Sequence, residues 1–481
     1  GMQEGYQYTS YALENLITAM DIVGRVTGET GLLDNEYFNE VFVDWVVHFM
    51  APGSGALPAI SDSNSAAYFF NTMSILNKSK QDGNAGYYLS AARPNAESLL
   101  QKFLYTSESP VINDPYKTLK LVYSTSYLGF SALRTGWEED DMLLTLLAND
   151  ADIYHNHYDQ NSFMLATNST WIATDAGYGD FVKGTPANEW TFQYGHSTLL
   201  VDDQTQSIKG GGSTEKILGN TLYGHVVGSA ADAYGEDILE KFDRHALMVN
   251  HANGAYYVIY DDIASAGNHT YGWNLNTEGW NTLLVDGNPV SLGSTASGNS
   301  LTVEKSTASM FVDFIGNDPL SISGRMYRDS KGPYITAYSP ATDDYQYMAV
   351  ISTAAGTNGI PASSLMNTVK TNNNQETKIV SVNGVECIFF RGAAVDDWFS
   401  LDFEVKKAGV FNMSIELPRS PVYGNYQMYI DDVPYGEVYV GYGELALMNH
   451  PLGEVSLAYA EAEAGWQGRC FRQLSDLGWQ H

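Results

Sequence analysis

The sequence predicts an α+β multidomain chain, with helices first, a large antiparallel β-sandwich next and a small β-module at the C-terminus. Three observations predict it. Apolar residues recur at helical spacing in roughly the first 107 positions. From about residue 118 short runs rich in Val, Ile, Thr, Tyr and Phe alternate with Gly, Asn and Asp turns almost to the end. The length, 481 residues, is too great for one ordinary domain. The expected divisions are 1–110, 111–400 and 401–481, the last resting on a soft change of composition near 400–420.

Within the first division, Leu13, Leu16, Ile17, Met20 and Val23 form the stripe of one helix, ended by a glycine cap near Gly28 and Gly31. Asp34 is placed to cap the next, whose apolar face is Phe38, Val41, Phe42, Trp45, Val46 and Phe49. After a Pro/Gly-rich link, Ala51 to Pro58, a third segment carries Tyr68, Phe69, Phe70, Met73 and Leu76. Ala96 to Tyr105 reads as another short helix. Short links between amphipathic helices predict antiparallel helix pairs. The strands are expected at 161–174, 197–202, 255–261, 281–286, 310–315, 347–352, 378–382 and 409–416, and so many short strands predict a sandwich. No repeat of solenoid type is visible.

Charge narrows the partners. With 25 basic against 56 acidic residues the net charge is −31, a field that repels nucleic acid and anionic membranes. An anionic polysaccharide would need a locally basic cleft inside this globally acidic protein. No run of about 18 apolar residues predicts a membrane-spanning helix. Cys387 and Cys470 fit no zinc-ribbon or redox spacing, and one disulfide or two thiols both remain open. Whether the chain forms an oligomer is also open.

The stretch richest in chemistry is Tyr154-His155-Asn156-His157-Tyr158-Asp159-Gln160-Asn161-Ser162-Phe163. Strand alternation would put His155, His157 and Asp159 on one face. Asp175 follows in Ala173-Thr174-Asp175-Ala176-Gly177, and His196 in Tyr194-Gly195-His196-Ser197-Thr198-Leu199-Leu200-Val201-Asp202. Two imidazoles and a carboxylate suit Zn²⁺, and ligands from neighbouring strands would staple the sheet. A lone strand histidine is more often a hydrogen-bonded core or surface residue. A metal hydrolase of the metallo-β-lactamase type, His-x-His-x-Asp-His, lacks a ligand here because Gln160 holds the last position.

These elements, with Leu133-Arg134-Thr135-Gly136-Trp137 before them and Arg244-His245 and Tyr256-Tyr257-Val258-Ile259-Tyr260-Asp261 after, occur in one order. That order resembles the sandwich of the heparinase II/III-like polysaccharide lyases, which include alginate and oligoalginate lyases. The resemblance is strong over about 130–290 and fades after about 300; His196-Ser197 stands where the family usually reads His-Asn. Glu4-Gly5-Tyr6-Gln7-Tyr8 resembles a Glu-Gly-x-x-Tyr helix entry, and Leu57-Pro58 with Ser61-Asp62-Ser63 a loop leading to a catalytic tyrosine helix. Residues 1–110 are thereby similar to the end of an (α/α) toroid, with fewer helices than a whole one needs.

The resemblance implies cleavage of a uronic-acid glycosidic link by β-elimination on an anionic polysaccharide or oligosaccharide, in a bacterial periplasmic or extracellular setting. It implies Tyr68 as acid and base, with Tyr6 and Tyr8 as alternatives, and His155 as the sandwich-side catalytic candidate or a partner of the metal site. His157, Asp175 and His196 become ligands of one structural zinc. Arg134, Tyr6 and Glu4 are the substrate-binding candidates, Arg134 having an internal ion pair as its other reading. Asp159 is expected to orient a neighbour. Trp137, Trp171, Trp190 and Trp273 line either a sugar path or the core, and Arg244 and His245 could face either side of their strand. The alternative function is a non-catalytic carbohydrate-binding or scaffold protein that keeps the metal-stapled sandwich.

Overall fold

The structure, a computed structural model, describes the chain except for residues 1–4, 93–108, 151–155, 178–193, 327–332, 356–364, 392–396, 403–408, 458–471, 475–481 and shorter stretches elsewhere. It divides into two compact units, 1–356 and 357–481. It is mostly β-sheet with few helices.

The first unit opens with helices α1 (Tyr6–Thr27), α2 (Phe42–Phe49), α3 (Phe70–Lys80), α4 (Gly83–Ala91) and the single turn α5 (Pro115–Thr118). Helix α1 ends as expected: Gly28 takes φ 78° and its N–H returns to Gly24 O. Its buried stripe is narrower than expected, with Tyr6, Leu13 and Ile17 inside while Leu16 and Val23 are exposed. Asp34 is not the cap of the next helix. The Asn35 side chain accepts from Phe38 N at 3.2 Å, and a π-helical turn, Tyr37–Val41, leads into α2. Asp34 instead pairs with Lys80 at 3.1 Å. Helix α4 escapes the periodicity because its sequence, GNAGYYLSA, has no long apolar stripe; Asp82 starts it by accepting from Asn84 N and Ala85 N. The helix expected at Ala96 to Tyr105 falls outside the described residues.

Strands β1 (Val122–Thr125), β2 (Phe130–Arg134), β3 (Met142–Leu147), β4 (Ser162–Thr167) and β5 (Thr170–Ala173) form a five-stranded antiparallel sheet in chain order. The run expected as one strand at 161–174 is thus a hairpin. Asn168 and Ser169 both take positive φ, 47° and 63°, the turn that matches strand twist. Then come β6 (Leu199–Val201), β7 (Ser213–Gly219), β8 (Tyr223–Ser229), β9 (Lys241–His251), β10 (Gly254–His269), β11 (Tyr271–Asn276), β12 (Thr282–Val285) and β13 (Asn288–Pro289). They are followed by β14 (Thr295–Gly298), β15 (Ser300–Glu304), β16 (Ala308–Phe314), β17 (Leu320–Met326), β18 (Pro333–Tyr338) and β19 (Thr342–Ala355). A nine-stranded sheet runs β13-β12-β15-β16-β19-β10-β9-β8-β7, and a second five-stranded sheet runs β14-β17-β18-β11-β6.

Alternation decides the layering. On the first sheet Leu133, Leu144, Leu146, Phe163 and Leu165 join the sandwich core, which also holds Met248, Tyr257, Trp273 and Ile351. The intervening Phe130, Ala132, Leu143, Leu147, Met164 and Ala166 join a second core with Trp45, Phe49, Phe69 and Met73 of the helices. This sheet is therefore buried on both faces, and β2, β3 and β4 lack an exposed residue. The helices form a third layer on it.

The second unit has its own core of Phe399, Met428, Ile430, Tyr439, Leu452 and Val455. Its ladders pair Thr377–Val382 with Val385–Phe390 and Gly409–Arg419 with Ala446–Leu457, while Asn425–Ile430 lies between Val433–Val440 and Arg472–Leu474. Cys387 is buried here, and Cys470 lies outside the described residues. No described helix is long and apolar enough to cross a membrane.

Candidate metal centre

His157, Asp175 and His196 come together. Each offers a ligand atom within 4.8 Å of the others, and all three residues are buried. The strand expected to align His157 and Asp159 on one face with His155 is not formed over the described residues 156–161. Asn156 to Asn161 is a loop closed by Ser162 N donating to Asp159 O, so His157 sits just before β4. Asp175 follows β5 and His196 precedes β6, so the group joins the edges of two sheets rather than stapling one.

The geometry is that of a site with its partners already arranged. His196 Nδ1 lies 2.7 Å from Asp175 Oδ2, and His157 Nδ1 lies 4.0 Å from Asp175 Oδ1. The far nitrogen of His157, Nε2, is 3.1 Å from Asp62 Oδ1, and both side chains are fully buried. A carboxylate on the outer nitrogen fixes ring orientation and tautomer and leaves the inner nitrogen to a cation. That inner Nδ1 is buried without a hydrogen-bond partner. An orphaned imidazole nitrogen facing a carboxylate is costly unless a cation completes it. The set N, N, O with these neighbours could hold a metal ion. Asp159 is buried close by with Oδ2 also unpartnered, and burial pushes its carboxyl up against the pull of His196 and His157.

Buried polar groups hold the three loops. Arg244 on β9 makes a two-pronged pair with Asp261 on β10, Nε to Oδ1 at 2.7 Å and Nη2 to Oδ2 at 2.6 Å. Its remaining nitrogen donates to Asn161 O and Ser197 O, each at 2.7 Å, so one guanidinium ties the His157 loop to the His196 loop. Asn274 and Asn276 on β11 donate to the carbonyls of Tyr194, His196 and Gly195. They alternate with Tyr271, Trp273 and Leu275, so polar i, i+2 residues on a fully buried strand were the available signal.

The helical layer reaches the same place. Asp175 Oδ1 accepts from Gly177 N at 2.9 Å. Gly177 has φ 68°, and a Cβ there would lie 2.2 Å from Ser63 O. Ser63 Oγ accepts from Gln7 N at 2.9 Å, and a Cβ on Gly5 would meet it at 2.5 Å. The Gly5-Tyr6 entry, the Ser61-Asp62-Ser63 loop and the Asp175-Gly177 loop therefore pack directly on one another.

The other predicted residues are placed as follows. Tyr68 is half-buried just before α3, its ring stacked on Phe70 at 5.1 Å. Tyr6 is 1% exposed and stacks on Trp45 at 4.5 Å inside the helical core, which leaves it no surface for a substrate. Arg134 is 0% exposed. Its guanidinium donates to Met50 O, His48 O and Gly136 O and lies 4.4 Å over the Trp137 ring, while burial pushes it down to about 10. Among the described residues it pairs with no carboxylate, and it closes the C-terminal carbonyls of α2. Trp137, Trp171 and Trp273 are core residues. Glu4, His155 and Trp190 lie outside the described residues.

Residues 124–332 match the family model described as "Heparinase II/III-like, C-terminal", a span that holds all three ligand candidates. Among solved structures the chain is similar to a heparinase III, with 14% identity, a TM-score of 0.55, and coverage of 94% of this chain and 60% of that one. It is similar to a second heparinase III, solved with methylated lysines, at 12% identity and TM-score 0.51, covering 93% and 57%. A mutant heparan sulfate lyase from Pedobacter heparinus gives 14% identity and TM-score 0.51, covering 80% and 58%. At these identities the likeness concerns the fold. The chain spans about three fifths of the length of these structures. No curated protein matches it.

Proposed function

Residues 124–332 make this chain a relative of the heparinase II/III-like polysaccharide lyases, and on that premise we propose that it cleaves a uronic-acid-containing polysaccharide, of glycosaminoglycan or alginate type, by β-elimination. The observation that carries the reading is the buried convergence of His157, Asp175 and His196 inside the matched span. These three residues would hold one zinc. Bound there, the metal supplies a cross-link between two loops and a third from the next sheet, and the proton chemistry belongs to the chain. The helices α1 to α4 are read as the end of an (α/α) toroid. The outward apolar side chains of α1, among them Leu16, Ile22 and Val26, fit a helix patterned for neighbours on both sides.

β-Elimination breaks the C5–H and C4–O4 bonds and forms a C4=C5 double bond. A base takes the C5 proton, and an acid returns a proton to the departing O4. Charge grows on the uronate carboxylate as C5 loses its proton, so a nearby donor must neutralise it. We assign the acid, and the base on the same face, to the Tyr68 hydroxyl, and the sandwich-side group to His155. The contact of Asp62 with His157 supports this assignment, because it ties the loop leading to Tyr68 to the segment following His155.

The test is incubation with heparan sulfate, hyaluronan, alginate and pectin while following the ultraviolet absorbance of the unsaturated product, a chromophore that hydrolysis does not create. Product from at least one polymer is expected, and Tyr68→Phe should abolish it without changing the unfolding curve. Silence on all four with intact protein would leave the carbohydrate-binding scaffold as the reading. Unchanged turnover in Tyr68→Phe would remove that residue from the mechanism.

A further inference from the structure

Gln160 stands three positions after His157, where a metal hydrolase of the His-x-His-x-Asp-His type has a histidine. It is fully buried, and its side chain is engaged elsewhere. Its Oε1 accepts from Asn149 N at 2.7 Å, and a Cβ on Gly212 would meet that oxygen at 2.3 Å. Its backbone is held by a second glutamine. Gln206 Oε1 accepts from Gln160 N at 2.8 Å, and Gln206 Nε2 donates to Gln160 O at 2.7 Å. One carboxamide thus makes the double exchange that a facing residue makes in an antiparallel ladder.

The loop needs such a partner. Residues 156–161 lie outside any strand, and all but Tyr158 are buried. Buried backbone groups without a ladder are costly unless a side chain receives them. Gln206, 46 positions away and 3% exposed, does so from inside the sandwich end. Thr198 Oγ1 donates to the same carbonyl, Gln160 O, at 2.7 Å. Gln206 Nε2 lies 3.5 Å from Thr198 Oγ1 and 3.5 Å from the Tyr234 hydroxyl, which in turn donates to Leu199 O at 2.6 Å. Thr198 follows His196 by two residues, so Gln160 O is the joint between the His157 loop and the His196 segment. A slip at this joint moves one imidazole relative to the other. Ligand distances at a metal hold to within about 0.2 Å, so a small slip is felt as lost affinity.

We propose that Gln206 is a positioning residue of the metal centre: clasping Gln160 against Thr198, it sets the separation of His157 and His196. Its own hydrogen bonds go to Gln160, Thr198 and Tyr234, so it acts through the loop and not on the metal. The inference rests on the three-residue centre proposed above and is independent of the lyase reaction.

The experiment measures zinc affinity of the full chain by competition with a chromophoric chelator, and the visible absorption of the cobalt-loaded chain. Gln206→Met has a similar volume and removes both hydrogen bonds. It should weaken zinc binding by about 10–100-fold and shift the cobalt bands. Thr198→Val removes one donor from the same carbonyl and should weaken zinc binding by a few-fold. Tyr257→Phe is the control for lost stability alone. It deletes buried bonds to Leu133 O and Met142 O at 2.8 and 3.1 Å, and should lower the unfolding midpoint with zinc affinity and cobalt bands unchanged. A folded Gln206→Met that binds zinc as the wild type does, with the same cobalt bands, would overturn the proposal. So would an equal loss of zinc affinity in Tyr257→Phe, since any loosening of the sandwich would then suffice. If Gln206→Met does not fold, Thr198→Val decides, and unchanged zinc affinity there overturns the proposal. A wild type that binds no zinc removes the centre and this role together, whereas normal wild-type binding with unaffected variants removes the role alone.

Discussion

The two sides of the candidate site are held on different physical terms. On the sandwich side His157, Asp175, His196, Arg244 and Asp261 are all buried, and the charged groups among them are locked by carbonyls and carboxylates from three or more chain segments. On the helical side Tyr68 is half-buried and kept in place by a ring stack on Phe70, with its carbonyl receiving the Ser10 hydroxyl. On the proposed reading, the sandwich contributes a rigid frame and the helical layer contributes the reactive group. Damage to the first should register as stability and metal affinity. Damage to the second should register as rate.

The largest effect that would sharpen this contrast is expected at Arg244. Arg244→Met leaves Asp261 charged in a dry interior and frees the carbonyls of Asn161 and Ser197, which should cost about 3–5 kcal/mol in a denaturant unfolding curve. A cost below about 1 kcal/mol would show that the guanidinium does not hold the loops.

The helical layer has its own buried titratable group. Burial, with Arg134 nearby, pushes the His48 imidazole down to about 4, although the carbonyls of Asp44 and Lys120 at 2.6 and 3.0 Å pull the other way. The unfolded chain takes that proton near pH 6.5, so between about pH 6.5 and 4 it binds more protons than the folded chain. Stability should therefore fall as pH falls through that window, by up to about 3 kcal/mol, and level off below it. Unfolding curves of wild type and His48→Gln across this range check it, the variant losing the slope.

A smaller effect is expected at Asp62, which touches His157 and no proposed substrate group. Asp62→Asn should lower zinc affinity by about 10–100-fold while the fold persists. The smallest is at Tyr68, where Tyr68→Phe should change stability by no more than about 0.5 kcal/mol and yet remove turnover. A large loss of stability there would make Tyr68 part of the frame and erase the contrast.

What could be read from the sequence follows the same division. The order of helices and strands came from periodicity, and the Gly28 cap from chemistry that a single residue carries. His157, Asp175 and His196 were legible because each sits in a short motif with its own turn residues. Their mutual placement was not. The strand alternation assumed for 155–159 gives way to a turn at Asp159, and the run at 161–174 folds back at two left-handed residues, Asn168 and Ser169. Asp62 was quoted only as part of a loop, since its contact with His157 spans 95 positions. Arg134 read as a substrate or ion-pair residue because a sequence does not reveal that its nearest acceptors are the carbonyls ending α2. Long-range contacts of this kind depend on the packed layers, and periodicity reports only which side of an element is buried.

The central claim is that His157, Asp175 and His196 share one cation. Elemental mass spectrometry on protein purified with zinc and dialysed against metal-free buffer should find about one zinc per chain in the wild type, none in His157→Ala with His196→Ala, and a lower unfolding midpoint for the wild type after chelation. Wild-type protein that retains no metal and unfolds at the same midpoint with and without chelator would contradict it.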